Sequence, residues 1–403
     1  MSEERLKLLP VAGVHVGVAC AGIKQTERPD LALIRYPADA AVAAVFTQNR
    51  FCAAPVTVAQ SHLARGATRY WVVNSGNANA GTGAQGLDDA RALCAEIARL
   101  DGSITEQDVL PFSTGVIGER LPVSRLVDAL PTMFESLSVE NWSQAAYAIM
   151  TTDTVPKAYS KQVRLSEGEV TITGIAKGAG MIRPDMATML AFIATDARVS
   201  DEYLQASLSS AVERSFNRIT VDGDTSTNDA CALVATGHAM EKEIVPESDD
   251  FRQFQFALNE VSEYLARAIV RDGEGATKFV TVEVDAGHTS EECLDVAYTI
   301  AHSPLVKTAL FASDANWGRV LAAVGRAGIS DLDLDAVEIY LGDVCIVRDG
   351  GRADDYSEEE GMRVMAQHDI DVRVVLGRGE CRERVWTCDF SYDYVRINAE
   401  YRT

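Results

Sequence analysis

Residues 177–197, KGAGMIRPDMATMLAFIATDA, contain the transition from a flexible loop to a buried strand around which the fold is predicted to be organised. The first half is a loop, because its glycines relax the backbone and Pro184 disfavours a helical conformation in the residue before it. The apolar run 189–195, MLAFIAT, predicts a strand buried on both faces. Thr188 lies at the transition, where a strand would hold a nucleophile rigidly beside a cleft. A β-branched residue there is also consistent with the simple start of a strand.

The composition of the 403 residues is that of a soluble globular protein of two or three domains, with 47% hydrophobic and 24% charged residues. Neither an apolar leader segment nor a run of membrane-spanning length is visible, so a cytoplasmic protein without membrane contact is expected. The net charge of −22 argues against a nucleic-acid partner. Most of this charge follows residue 187: residues 1–187 contain 17 Lys and Arg and 19 Asp and Glu, and residues 188–403 contain 20 and 40.

Cysteine and histidine spacing gives no sign of a metal site or a disulfide framework. The eight cysteines are scattered without a CxxC pair, which favours reduced side chains used as small core residues. The six histidines show neither HxH nor HExxH spacing, so a zinc site is not expected.

Local patterns predict β-strands and helices in alternating groups. Short apolar runs, including APVTVAQ at 54–60, predict strands before the first helix, and 157–178 predicts a hairpin that turns at Glu167-Gly168. Helices are predicted at 251–270 and 290–310, and a strand at the C-terminal YVRINAEYRT, 394–403. This arrangement favours stacked sheets covered by helices.

A threonine hydroxyl becomes a useful nucleophile only when a base lies within hydrogen-bond reach. No histidine or cysteine is close to Thr188 in the sequence. Cleavage of the Ala187–Thr188 peptide bond would supply a base, because Thr188 would then carry a free α-amine beside its own hydroxyl. Such an amine has a pKa of roughly 7.7–8.0, against about 10.4 for lysine, so much more of it is neutral at pH 7.

Acyl transfer by a threonine also requires donors that face the developing oxyanion. The predicted strand ending in PFSTGVIGE, residues 111–119, has Thr114 and Gly115 at its bend. They offer a hydroxyl and an unobstructed N–H, although the same dipeptide is also consistent with an ordinary turn.

The central stretch resembles the self-cleaving signature of the glutamate N-acetyltransferase family, also called the ornithine acetyltransferase family. Further blocks resemble that family in its order and span nearly the whole chain: NSGNANAGTGAQG (74–86), PFSTGVIGE (111–119), MTTDTVPK (150–157), VDGDTSTND (221–229), RDGEGATKF (271–279), SDANWGR (313–319) and YVRINAEYRT (394–403). One departure is Gly81, where the family pattern has cysteine; it removes a side chain near the expected cleft.

The resemblance implies autocatalytic cleavage between Ala187 and Thr188. An α chain (1–187) and a β chain (188–403) would then form one intertwined catalytic body. It implies a layered α/β/β/α sandwich, resembling Ntn hydrolases but differently connected. Thr188 would be the nucleophile, and Thr114 and Gly115 would form the oxyanion hole. The implied substrate-binding residues are Thr151, Lys177, Thr188, Glu274, Asn398 and Thr403.

Elementary chemistry is compatible with these roles without requiring them. Lys177 offers a point charge for an amino-acid carboxylate, or is an ordinary exposed lysine. Glu274, between two glycines, could approach an amino group, or belong to a turn at the end of a helix. Asn398 and Thr403 require an ordered C-terminus, for which the predicted terminal strand would provide the anchor.

The implied activity is a two-step transfer of acetyl from N2-acetyl-L-ornithine to L-glutamate in arginine biosynthesis, without a metal or prosthetic group. Acetyl-CoA is a further possible donor, and the implied assembly has two α and two β chains. A self-processing aminopeptidase or amidase of similar layering is the nearest alternative, although the related aminopeptidases have serine at the nucleophile position. A non-catalytic binding protein is the other alternative, and it would remain one 403-residue polypeptide.

Overall fold

The computed structural model describes residues 7–24, 27–183 and 189–400. Ala187, Thr188 and Thr403 therefore lie outside the described residues. The chain divides into two compact units, one formed by Met1–Asn217 with Asp224–Ile269 and the other by Arg218–Gly223 with Val270–Thr403. These boundaries differ from the predicted cleavage products, because the first unit contains segments from both sides of the predicted cut.

The first unit contains two sheets and the helices that cover them. Its strands are β1 His15–Ala19, β2 Leu31–Arg35, β3 Ala41–Phe46, β4 Tyr70–Asn77, β5 Val109–Val116, β6 Lys157–Leu165, β7 Gly168–Lys177, β8 Leu190–Thr195 and β9 Ala230–Ala235. Its helices are α1 Ala54–Leu63, α2 Gly83–Asp101, α3 Val123–Glu135, α4 Trp142–Ala148, α5 Asp201–Arg214 and α6 Asp249–Arg271, of which the last two residues belong to the second unit.

The sheets stack face to face, with helices on their outer sides. One sheet has the order β1-β2-β4-β5 and the other β3-β9-β8-β7-β6. Strand β2 shows the layering directly: Ala32 and Ile34 enter the core shared with Phe192 of the other sheet, whereas Leu31 and Leu33 pack with α2 and α3. This alternation of side chains along a strand produces the α/β/β/α arrangement, and the predicted α/β fold class is confirmed.

Strand β8 is the predicted buried strand, and each of its six residues is buried. It lies at the centre of its sheet, pairing in parallel with β9 and antiparallel with β7. Leu190 and Phe192 face the shared core, and the opposite face of the sheet packs on α5 and α6, where Gly174 of β7 approaches Leu265. Burial on both faces explains the continuous apolar run.

The same sheet combines strands from both predicted products. Strands β3, β6 and β7 precede residue 187, and β8 and β9 follow residue 188. Backbone hydrogen bonds between β7 and β8 therefore join the two segments on either side of the predicted cut.

The second unit has one sheet, in the order β13-β12-β11-β14-β10-β15, and its helices α7 and α9 contribute to one apolar core with that sheet. Its strands are β10 Phe279–Gly287, β11 Glu338–Leu341, β12 Val344–Arg348, β13 Gly351–Arg352, β14 Asp369–Val375 and β15 Cys381–Cys388. Its helices are α7 Ser290–Ala301, α8 Pro304–Phe311, α9 Trp317–Gly325, α10 Glu358–Met365 and α11 Tyr392–Glu400. No helix in the described ranges is long and apolar enough to cross a membrane.

Three local predictions were wrong, because each missed a residue at which a helix begins. The segment 54–60 begins helix α1, with Pro55 in its first turn. The predicted helix 290–310 is two helices, because Ser303 caps a new one that starts at Pro304. Residues 394–400 of the predicted terminal strand belong instead to helix α11, near whose start the amides of Asp393 and Tyr394 donate to Ser391 Oγ.

Candidate active site

The predicted oxyanion residues lie near the end of β5, beside the parallel strand β4. Thr114 is paired with Ser75 and Gly115 with Gly76, immediately before a shift in the register. Gly115 has φ 134°, and a Cβ there would lie 2.2 Å from the carbonyl carbon of Gly76. Only glycine allows this approach of the two strands, so position 115 keeps a backbone N–H without a side chain beside it.

Three predicted site residues lie in direct contact. Lys177 is the last residue of β7, and its Nζ donates to Thr114 Oγ1 at 3.0 Å and to Thr151 Oγ1 at 3.3 Å. An ammonium group has no acceptor, so both hydroxyl oxygens must accept from it. The Thr114 proton is consequently directed away from Lys177 and is available for another acceptor.

Asp153 connects these groups and was not singled out from the sequence. Its buried carboxylate accepts from the backbone N–H of Thr151 at 2.8 Å, from that of Gly178 at 2.7 Å, and from Lys157 Nζ at 2.5 Å. Burial opposes ionisation of Asp153, but Lys157, Lys177 and the Gly178 amide outweigh it and hold the pKa of that carboxyl well below its usual range. Asp153 therefore remains an anion that fixes the segments carrying Thr151 and Lys177. The sequence signal that could have identified Asp153 is the opposite charge of Lys157, four residues later in TTDTVPK.

A second lysine, Lys24, approaches the same segment. Its Nζ donates to the backbone oxygen of Met150, the residue before Thr151. The loop that carries it is fixed by the buried Asp30, whose carboxylate accepts from the amides of Ala21 and Ile23 at 2.6 Å each. Lys24 was not predicted from the sequence, because its contact spans 126 positions.

The described ends of the segment around the predicted cut are both anchored in the first unit. Asp153 holds Gly178, and Thr225 Oγ1 donates to the Arg183 carbonyl at 3.1 Å. On the other side, Ala230 N donates to the Met189 carbonyl at 3.0 Å. Lys177 and Leu190 are register partners on β7 and β8. The segment between these anchors contains the predicted cleavage site.

Two further predicted substrate residues meet in the second unit. Glu274 is buried, and its Oε2 accepts from Asn398 Nδ2 at 2.8 Å. Asn398 lies on helix α11, so a helix rather than the predicted strand orders the C-terminal segment as far as residue 400. A Cβ at Gly275, where φ is 69°, would lie 2.5 Å from Tyr394 N, so glycine permits the close approach of this helix. Ser391 Oγ also donates to the Gly275 carbonyl at 2.6 Å.

Gly81, the departure from the family pattern, faces an aromatic ring. A Cβ at this position would lie 3.1 Å from Phe51 Cζ. The Phe51 ring is thus in contact with the place where the family pattern has a cysteine side chain.

Residues 15–403 match the sequence model of the ArgJ family. A relative from Methylococcus capsulatus, named arginine biosynthesis bifunctional protein ArgJ, is 57% identical over 398 residues, which cover 99% of this chain and 97% of the relative. The protein of the same name from Pseudomonas fluorescens is 55% identical over 397 residues, 98% of each chain. A crystal structure of the Bacillus halodurans protein is 41% identical with a TM-score of 0.50, covering 53% of this chain and 99% of that chain.

Proposed function

The chain belongs to the ArgJ family, and on this premise we propose that it is a self-cleaving glutamate N-acetyltransferase of arginine biosynthesis. It transfers the acetyl group of N2-acetyl-L-ornithine to L-glutamate. The observation that carries this proposal is the contact of Lys177 Nζ with Thr114 Oγ1, beside the glycine N–H at position 115. The Thr114 hydroxyl, directed by Lys177, and the unobstructed Gly115 amide are together suited to a developing oxyanion, and the Lys177 ammonium is suited to a substrate carboxylate.

The proposed cleavage between Ala187 and Thr188 makes Thr188 the N-terminus of the β chain. Its free α-amine then serves as the base for its own hydroxyl. The anchored residues on both sides of the segment support this step, because they fix the described backbone that flanks the proposed cut. Pairing of β7 with β8 would keep the products together, which supports association of α and β chains. The proposed assembly has two of each.

In the first half-reaction Thr188 Oγ attacks the acetyl carbonyl, and the hydroxyl proton passes to the α-amine. The tetrahedral oxyanion receives the Thr114 hydroxyl proton and the Gly115 N–H as hydrogen-bond donors. The C–N bond then breaks, the ornithine amine takes the proton, and an acetyl ester remains on Thr188. In the second half-reaction the neutral α-amine of glutamate attacks this ester, and Thr188 Oγ recovers a proton as N-acetylglutamate leaves.

Recognition of the amino-acid substrates is proposed for the residues that the family resemblance implies. The residues proposed to contact the substrates are Thr151, Lys177, Thr188, Glu274, Asn398 and Thr403. Glu274 accepts from Asn398 in the structure, so this carboxylate is oriented and able to meet an amino group. A second activity, acetylation of glutamate by acetyl-CoA, is proposed from the word bifunctional in the names of the relatives. The proposed location is the cytoplasm, in keeping with the eight free cysteines.

Rapid-quench mass spectrometry of the processed enzyme tests the transferase mechanism. N2-acetylornithine alone should add one acetyl group to residues 188–403, and glutamate should then remove it as N-acetylglutamate. Replacing glutamate with buffer provides the control for hydrolysis. Absence of the acetyl mass would contradict the covalent transferase mechanism, and discharge by water as fast as by glutamate would favour an amidase.

A further inference from the structure

Lys24 presents an ammonium group in the immediate surroundings of the proposed site. Its hydrogen bond to the Met150 carbonyl places it one residue from Thr151, which itself accepts from Lys177. The carbonyl is a neutral partner, and no ion pair of Lys24 is found within the described residues. Asp30 fixes the supporting loop through backbone amides, so the lysine is held in place by its own loop.

The charges around Lys24 leave it poorly compensated. Arg28 and Lys177 act on it as like charges, whereas Asp153 and Asp30 act as opposite charges. Neither carboxylate has its hydrogen bonds with Lys24, because Asp153 accepts from Lys157 and Asp30 accepts from two backbone amides. Burial is the largest effect, and with Arg28 and Lys177 it lowers the pKa of Lys24 to about 7. A partly buried ammonium beside other cations favours a bound anion.

The proposed donor and acceptor differ in the charge at the end of their side chains. Both carry an α-carboxylate, for which Lys177 is the proposed partner. Glutamate has a second carboxylate, whereas N2-acetylornithine has a δ-ammonium group. One site must therefore accept an anionic and a cationic side chain in alternation.

We propose that Lys24 is a specificity-determining residue whose ammonium binds the side-chain carboxylate of glutamate. This assignment rests on the proposed acetyl transfer and concerns only its second half-reaction. Lys24 is protonated when the glutamate carboxylate arrives, and it releases its proton to solvent water when the ornithine ammonium occupies the site. A pKa close to neutrality makes both states accessible, so this lysine adapts to the two substrates where an arginine would remain charged.

The experiment compares glutamate with glutamine, its neutral isostere, as acceptors of acetyl from the preformed acetyl-enzyme. Lys24→Met should lower kcat/KM for glutamate about 10- to 100-fold, the range expected for one charge-assisted hydrogen bond, and change glutamine less than about threefold. Lys24→Arg should retain the preference for glutamate but slow acetylation by N2-acetylornithine. The control is Lys242→Met, because that side chain is 86% exposed and pairs with Glu167 on the hairpin turn.

A pH series adds a measurement that a purely structural role would not change. In the wild type, kcat/KM for glutamate relative to glutamine should fall as pH rises above about 7, and in Lys24→Arg this ratio should stay constant. The proposal is overturned if Lys24→Met retains the glutamate preference, or if glutamate, glutamine and acetylornithine fall equally. A wild-type enzyme that never forms N-acetylglutamate would instead refute the proposed function, and the Lys24 assignment with it.

Discussion

Replacement of Asp153 by asparagine tests whether its carboxylate holds the proposed site together. In the wild type one carboxylate oxygen accepts from the Thr151 amide, and the other accepts from the Gly178 amide and Lys157. All of these partners are donors. Either orientation of an asparagine amide therefore turns its NH₂ group towards a donor and removes at least one acceptor.

The burial of the ion pair determines how much stability the asparagine variant loses. The Lys157 and Asp153 side chains are 1% and 0% exposed, so the asparagine variant leaves Lys157 as a buried charge without that counterion. Breaking such a pair from one side destabilises a protein by about 3–5 kcal/mol. Because the folded-state pKa of Asp153 is depressed, this stabilisation is present above the unfolded-state value near 4 and disappears as the pH falls through the lower folded-state value.

Urea unfolding at pH 7 of Asp153→Asn, Lys157→Met and the double variant measures the coupling. The double variant should be destabilised by less than the sum of the single variants, because no uncompensated charge remains. Self-cleavage should also slow in Asp153→Asn, since Gly178 loses its anchor. Additive free energies of unfolding, or an Asp153→Asn loss below about 1 kcal/mol, would refute the assignment of Asp153 as the buried counterion.

The sequence was informative where structure depends on neighbouring residues. The β6–β7 hairpin, the buried strand β8 and helix α6 were all predicted, because a period of side-chain burial is visible within each segment. Helix α1 was missed because β-branched residues at 56–58 suggested a strand. The buried positions Val56, Ala59 and His62 follow a helical spacing that Pro55 initiates.

The arrangement of the candidate site was harder to predict from the sequence, because its contacts join residues that are far apart in the chain. Thr114 and Lys177 were named individually from their motifs, but their contact joins positions 63 residues apart. The one local signal for Asp153 was the opposite charge of Lys157 four residues later, and Lys24 carried none, since an ordinary surface lysine has the same local sequence character. Only the meeting of the ends of β5 and β7 with the segment 150–153 gives these residues a shared environment.

Two further predictions separate processing from catalysis. Thr188→Ala should remain a single 403-residue chain, because it lacks the hydroxyl that attacks the Ala187 carbonyl; denaturing electrophoresis and N-terminal sequencing of the wild-type fragments check this, and cleavage of the variant would reject Thr188. Thr114→Val keeps the shape of the side chain but removes the acceptor for Lys177 and the proposed oxyanion donor. Loss of one such donor typically lowers kcat by about 10²–10³. Because substrate carboxylate binding is assigned to Lys177, KM should change less than kcat once cleavage is complete. A normal kcat in fully processed Thr114→Val would remove Thr114 from the mechanism.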